Sequence, residues 1–158
     1  MKVIVDSQSS SKEGAIVLRF DAGDNVISGL RDFCDERQVE AAQFYGIGST
    51  GDLILSYYNL KTKEYEDKQF KEDLEVLALN GNIGFLYKNH GGECETIVHA
   101  HGLFSDRAMT VIGGHVKSLV VSATCEIILR EISGVIERKF DEKTGLNLMI
   151  AESERNSP

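Results

Sequence analysis

From Gln38 onward the sequence divides into short apolar segments parted by glycine or polar turns, and this pattern constrains the fold more than any other feature. The segments span 41–47, 52–58, 64–70, 74–79, 83–87, 95–103, 108–112, 119–132, 136–140 and 146–150. Runs of this length carry few helical repeats. They predict a mostly antiparallel, strongly curved sheet or partial barrel. Upstream, Ile16, Val17 and Leu18 predict a further strand over 14–20, closed by turn chemistry at 21–23. One segment has the other period: Val26, Ile27, Leu30, Phe33 and Cys34 recur on a single helical face, and Asp24 or Asn25 offers the N-cap. The expected fold class is therefore α+β, with one principal helix, about 24–37, that plugs or covers the sheet. Gly46-Ile47-Gly48 and Gly113-Gly114 mark turns, bends or close backbone approaches.

A chain of 158 residues is large enough for one domain that buries roughly 70% of its unfolded surface. Apolar residues make up 42%, and the only proline is Pro158, which reads as a folded chain. The division expected is a flexible arm over 1–12, rich in serine at Ser7, Ser9, Ser10 and Ser11, a single domain over 13–150, and a flexible tail over 151–158.

Charge limits the partners. Seventeen basic residues stand against 25 acidic ones, a net of -8, which repels phosphate backbones. The densest lysines, Lys61, Lys63, Lys68 and Lys71, are interleaved with Glu64, Glu66, Asp67 and Glu72, as on a solvated hairpin. Direct DNA binding is disfavoured. Three cysteines without a C-x-x-C pair, and no secretory signal, fit a reducing cytoplasm. Cys34 and Cys125 fall in apolar patterns and read as small core residues, while Cys94 lies between two glutamates. No apolar run approaches the ~20 residues that span a bilayer, so no membrane association is expected.

The chemistry centres on histidine. In the strand around 96–103, His99 and His101 alternate onto one face, with Cα atoms ~6.6 Å apart at ~3.3 Å rise per residue. Their rings can converge on one ion at metal–nitrogen distances of ~2.0–2.1 Å, and His115 can be brought back beside them by a turn. This is a zinc-type constellation; a strand pair satisfied by backbone carbonyls or carboxylates is the other reading. His90 reads as a solvated loop residue. Glu75, on one face with Leu77 and Leu79, either caps a strand end in water or is buried with a cation or donor. Glu126 shares a face with Arg130, its simplest partner.

Taken in order, Gly46-Ile47-Gly48, the stretch from Leu74 to Gly81, His99-Ala100-His101, Gly113-Gly114-His115 and Thr124-Cys125-Glu126 resemble the plant-and-prokaryote-conserved (PPC) domain family. The resemblance spans Gly14 to Met149. It implies a homotrimer of antiparallel sheets with few helices and a histidine cluster that holds a metal, with His99, His101 and His115 as the residues to carry over and Glu75 matching the acidic position as an additional ligand or base. The fold is also similar to that of acetolactate decarboxylase, a zinc enzyme. Plant relatives join the domain to an Arg-Gly-Arg-centred AT-hook, and no such segment occurs in this sequence.

The expectation is thus a trimeric module with a candidate site for a divalent metal, zinc by its ligands, acting in binding or regulation. The alternatives are a metal-dependent lyase or hydrolase acting on a small carbonyl substrate, with catalytic residues unassigned, and a DNA-associated regulator that works through a protein partner.

Overall fold

A computed structural model describes residues 1–6, 14–87 and 94–154. Among these, the chain forms nine strands and one α-helix: β1 (Lys2–Asp6), β2 (Ala15–Asp21), α1 (Val26–Arg37), β3 (Ala42–Asn59), β4 (Glu64–Phe70), β5 (Leu74–Tyr87), β6 (Cys94–Ser105), β7 (Val111–Glu131), β8 (Glu137–Asp141) and β9 (Leu146–Met149). A 3-10 turn follows at Glu152–Glu154. All strands join one sheet, antiparallel except where β5 meets β8. Among the described residues no helix is long and apolar enough to cross a membrane.

The helix forms where the periodicity placed it. The Asn25 side chain accepts hydrogen bonds from the backbone N–H groups of Ile27 (3.0 Å) and Ser28 (3.2 Å), satisfying two of the donors that a helix start leaves open. Gln38 ends it in the left-handed conformation at φ 54°, with its N–H turned back onto the last turn. Val26, Ile27, Leu30, Phe33 and Cys34 are buried, and α1 packs on β6 and β7. Cys34 and Cys125 lie fully inside, where burial pushes each thiol up to about 12. Both are core residues, whereas Cys94 is exposed.

The strands are longer than the apolar segments suggest. Segments 41–47 and 52–58 fuse into the 18 residues of β3, 74–79 and 83–87 into β5, and most of 108–132 into the 21 residues of β7. The glycines between them do not end the strands. Register shifts fall at Gly46/Gly48 and Gly48/Thr50 in β3, so the interruptions are bulges that bend a continuing strand.

Bending lets one strand pair with different neighbours along its length. β3 pairs with β5 and β7, β5 with β6, and β6 with the start of β7, so that β3, β5, β6 and β7 close into a partial ring. The interior is filled by Phe44, Leu79, Ile83, Ala100, Phe104 and Leu119 among others. Close packing of this ring demands glycine at Gly81, where a Cβ would lie 2.3 Å from the His99 carbonyl oxygen and 2.4 Å from Phe44.

The segment expected as a flexible arm is, over Lys2–Asp6, a strand paired with β2, and 7–13 lie outside the described residues. The lysine-bearing segment forms β4, exposed over nearly its whole length as a solvated hairpin should be.

Candidate metal centre

Strand register builds the site. His101 on β6 lies directly opposite His115 on β7, and His115 in turn lies opposite Ser56 on β3. On its other side His101 faces Asn80 of β5, while His99 faces Asn82. Directly opposed residues share a face, so Ser56, His115, His101 and Asn80 form one row across four strands. The β6–β7 hairpin sets this register: the Asp106 carboxylate accepts from the N–H groups of Ala108 (2.8 Å) and Thr110 (2.9 Å), and Met109 takes φ 63°. Close approach of the two strands needs Gly113, where a Cβ would meet the Gly102 carbonyl oxygen at 2.8 Å.

The three imidazoles meet. Ring centroids are 5.2 Å apart for His99 and His101, 5.3 Å for His99 and His115, and 5.2 Å for His101 and His115. One nitrogen from each ring falls within 4.8 Å of the others. Nitrogens around a tetrahedral ion sit about 3.4 Å apart given bonds of ~2.0–2.1 Å, so small ring rotations complete the set. His101 is exposed and the other two are half-buried, which leaves one side of the cluster open to solvent.

Their surroundings keep the rings of His99 and His115 neutral. Burial, then the Arg138 charge, then the other two histidines hold His99 down at about 4. Burial and His101 also lower His115, with Asp67 opposing. Neutral imidazole is the form that binds a cation. The donor set therefore fits a divalent metal ion.

Two hairpins flank the cluster. On one side, Tyr65 of β4 lies 5.3 Å from His115 ring to ring, and Asp67 pairs with Lys117 and accepts from Ser56 Oγ at 2.7 Å. That pairing holds the Asp67 carboxyl below the usual carboxylate range. On the other side, β8 brings in Arg138, which is 8% exposed. Its guanidinium donates to Asn82 Oδ1 (2.7 Å) and to the Asn147 carbonyl (3.1 Å).

Arg138 is the residue the motifs do not reveal. A local signal exists: Ile136, Arg138 and Phe140 alternate onto one face, which places a charge on the apolar side of a short strand. Glu75 is not in the cluster. It is exposed at the start of β5, opposite Ser49 and Ser105, and shares a cleft of about 640 Å³ with Ile47, Leu77, Met109 and Glu126. Glu126 is exposed opposite Arg19 and Ile47, and among the described residues no ion pair joins it to Arg130. His90 lies outside the described residues.

Fold and site together define a small β-ring domain that carries a solvent-facing histidine triad able to hold a metal ion. The chain belongs to the Plants and Prokaryotes Conserved (PCC) domain family, whose model matches residues 7–133. Solved structures agree. It is 31% identical to a metal-containing protein from Archaeoglobus fulgidus, covering 87% of this chain and 94% of that one at a TM-score of 0.76. It is 29% identical to a plant- and prokaryote-conserved protein from Pyrococcus horikoshii, covering 87% and 92% at 0.78. A candidate DNA-binding protein from Bacteroides thetaiotaomicron is 27% identical, with 86% and 91% covered at 0.78. The fold likeness extends, at 13% identity and a TM-score of 0.51, to a Staphylococcus aureus protein similar to alpha-acetolactate decarboxylase. Among curated proteins none matches this sequence.

Proposed function

We propose that this chain is a binding or regulatory module that holds one divalent metal ion on His99, His101 and His115 and works as a homotrimer. The observation that carries the reading is the approach of one nitrogen from each of the three rings to within 4.8 Å. Three protein ligands leave a coordination position free, and the exposure of His101 lets a small ligand reach it. Zinc is the metal its ligands favour, and the Archaeoglobus fulgidus relative is described as metal-containing.

Exposed apolar side chains support the assembly. Ile47 (58% exposed), Leu77 (46%) and Met109 (77%) line the cleft beyond the start of β5, a concentration of apolar surface that marks interaction sites. The net charge of -8 works against direct contact with DNA, so a role like that suggested for the Bacteroides thetaiotaomicron relative runs through a protein partner. Free cysteines, one of them exposed, suit a reducing cytoplasm.

A second reading, metal-dependent lyase or hydrolase chemistry on a small carbonyl compound, draws on the same free coordination position. When bound, the ion supplies a Lewis acid there. The chain's own contribution is to orient the imidazoles through the β6–β7 register and to keep His99 and His115 unprotonated.

Elemental analysis of untagged protein tests the site. About one equivalent of metal per chain is expected after reconstitution; none in either purified or reconstituted protein removes both the module and the enzyme reading. Sedimentation equilibrium tests the assembly, with a mass of three chains expected and a monomer ruling the trimer out.

A further inference from the structure

Arg138 lies in a chain segment, 134–154, beyond the residues that the family model matches. That segment is fastened over the site from two directions. Tyr58 Oη donates to the Thr144 carbonyl (2.7 Å) and Lys63 Nζ to the Glu142 carbonyl (2.6 Å), while β8 pairs with β5 at Phe85 and Leu86. The result is a cation held at 8% exposure beside Asn82, the residue directly across the ladder from His99.

The guanidinium is incompletely satisfied. Nη1 and Nη2 each have a partner, but Nε is buried without one, and among the described residues no carboxylate lies within ion-pair distance of Arg138. A buried charge without a counter-ion is unfavourable, and its penalty is relieved by an anion that accepts from the second N–H groups of Nη1 and Nη2, which their single partners leave over. Guanidinium matches carboxylate geometry closely. Asn82 and His99 are opposed, about 5 Å apart at Cβ, and the guanidinium is bonded to Asn82 at 2.7 Å, so a group seated on Arg138 lies on the His99 side of β5.

We propose that Arg138 anchors the carboxylate of a small ligand, a short 2-oxo or 2-hydroxy acid, whose oxygen at the neighbouring carbon is directed to the histidine cluster. The C-terminal hairpin is then a specificity element added to the domain. It selects small anions over neutral carbonyl compounds at this site. The direction of the ligand rests on the metal reading of the histidines; the guanidinium's need for an anion does not.

The test is calorimetric titration of pyruvate, with acetone as the neutral control, into metal-free and zinc-loaded protein. Three forms are compared: wild type, Arg138→Gln, and Asn82→Asp. The last keeps the guanidinium packed but supplies a carboxylate beside it, so it guards against misfolding of Arg138→Gln. Expected are millimolar or tighter pyruvate binding by wild type, no acetone binding, and at least a ten-fold loss in both variants at unchanged zinc stoichiometry. Pyruvate bound alike by all three proteins, or by none, overturns the proposal while leaving the metal reading intact if zinc still binds. Arg138-dependent pyruvate binding to a protein that takes up no zinc upholds the proposal and removes the metal reading instead.

Discussion

Along β5, the stretch at Asn80–Asn82 and the stretch at Glu75 both interrupt an apolar strand with polar residues, yet their surroundings differ. Asn80 and Asn82 face His101 and His99 across the ladder, with Arg138 bonded to Asn82 and His115 one strand further on. Glu75 faces Ser49 and Ser105 and opens onto a cleft with apolar walls. Asn80 follows Glu75 by five positions, about 16 Å of strand at ~3.3 Å per residue. A register shift between Val76 and Ala78 lies between them. Neighbouring strands contribute histidines at the level of Asn80–Asn82 and only serines at the level of Glu75. The Glu75 stretch has the exposed apolar side chains of Ile47, Leu77 and Met109 around it.

Substitutions at the two ends should therefore have unlike effects. The largest difference is expected in metal content. His101→Ala should reduce bound metal from about one equivalent per chain to a trace, while Glu75→Gln leaves it unchanged, both read by elemental analysis of untagged protein. Equal loss in both would put Glu75 among the ligands.

Stability gives the next contrast. Leu79→Ala, in the ring interior between the two stretches, should cost about 2–5 kcal/mol in urea unfolding. Gly81→Ala should cost roughly 1–3 kcal/mol, because its Cβ meets backbone at 2.3 Å and the neighbour cannot yield. Leu77→Ala should scarcely alter the unfolding of a dissociated chain, within about 0.5 kcal/mol, but should weaken self-association on dilution.

Acid should act at the histidine end. His99 titrates at about 4 in the folded chain against 6.5 in the unfolded one, so the unfolded state takes up more protons between those values. The stability contributed by neutral His99 is complete above pH 6.5 and lost as pH falls toward about 4. The metal-free protein should lose thermal stability through that window, and His99→Gln should flatten the slope. The most local effect is expected at the hairpin tie: Tyr58→Phe removes one hydrogen bond to Thr144 and should cost about 0.5–1.5 kcal/mol, with faster amide exchange confined to β8 and β9.

The helix, the strand-rich sheet and the histidine pair were legible because each is a local regularity: a helical face, an alternation, an H-x-H spacing. The length of β3 and β7 was not, since a glycine pair that bends a strand and one that ends it read alike without the partner strand. The position of His115 depended on the five residues after Ser105, whose turn fixes the register opposite His101. Glu75 matched a family position, but a motif match carries no information about which strand end a side chain occupies. Arg138 showed only a charge on an apolar alternation; that it reaches Asn82 depends on the parallel pairing of β8 with β5, which no local pattern specifies.

X-ray absorption at the zinc edge, on untagged and zinc-reconstituted protein, measures the ligands themselves. The three-histidine centre predicts three imidazole nitrogens at ~2.0–2.1 Å, with their outer-ring scattering, and one lighter oxygen contribution. A spectrum dominated by sulfur, or one of oxygen alone without imidazole scattering, would show that the rings of residues 99, 101 and 115 do not share an ion.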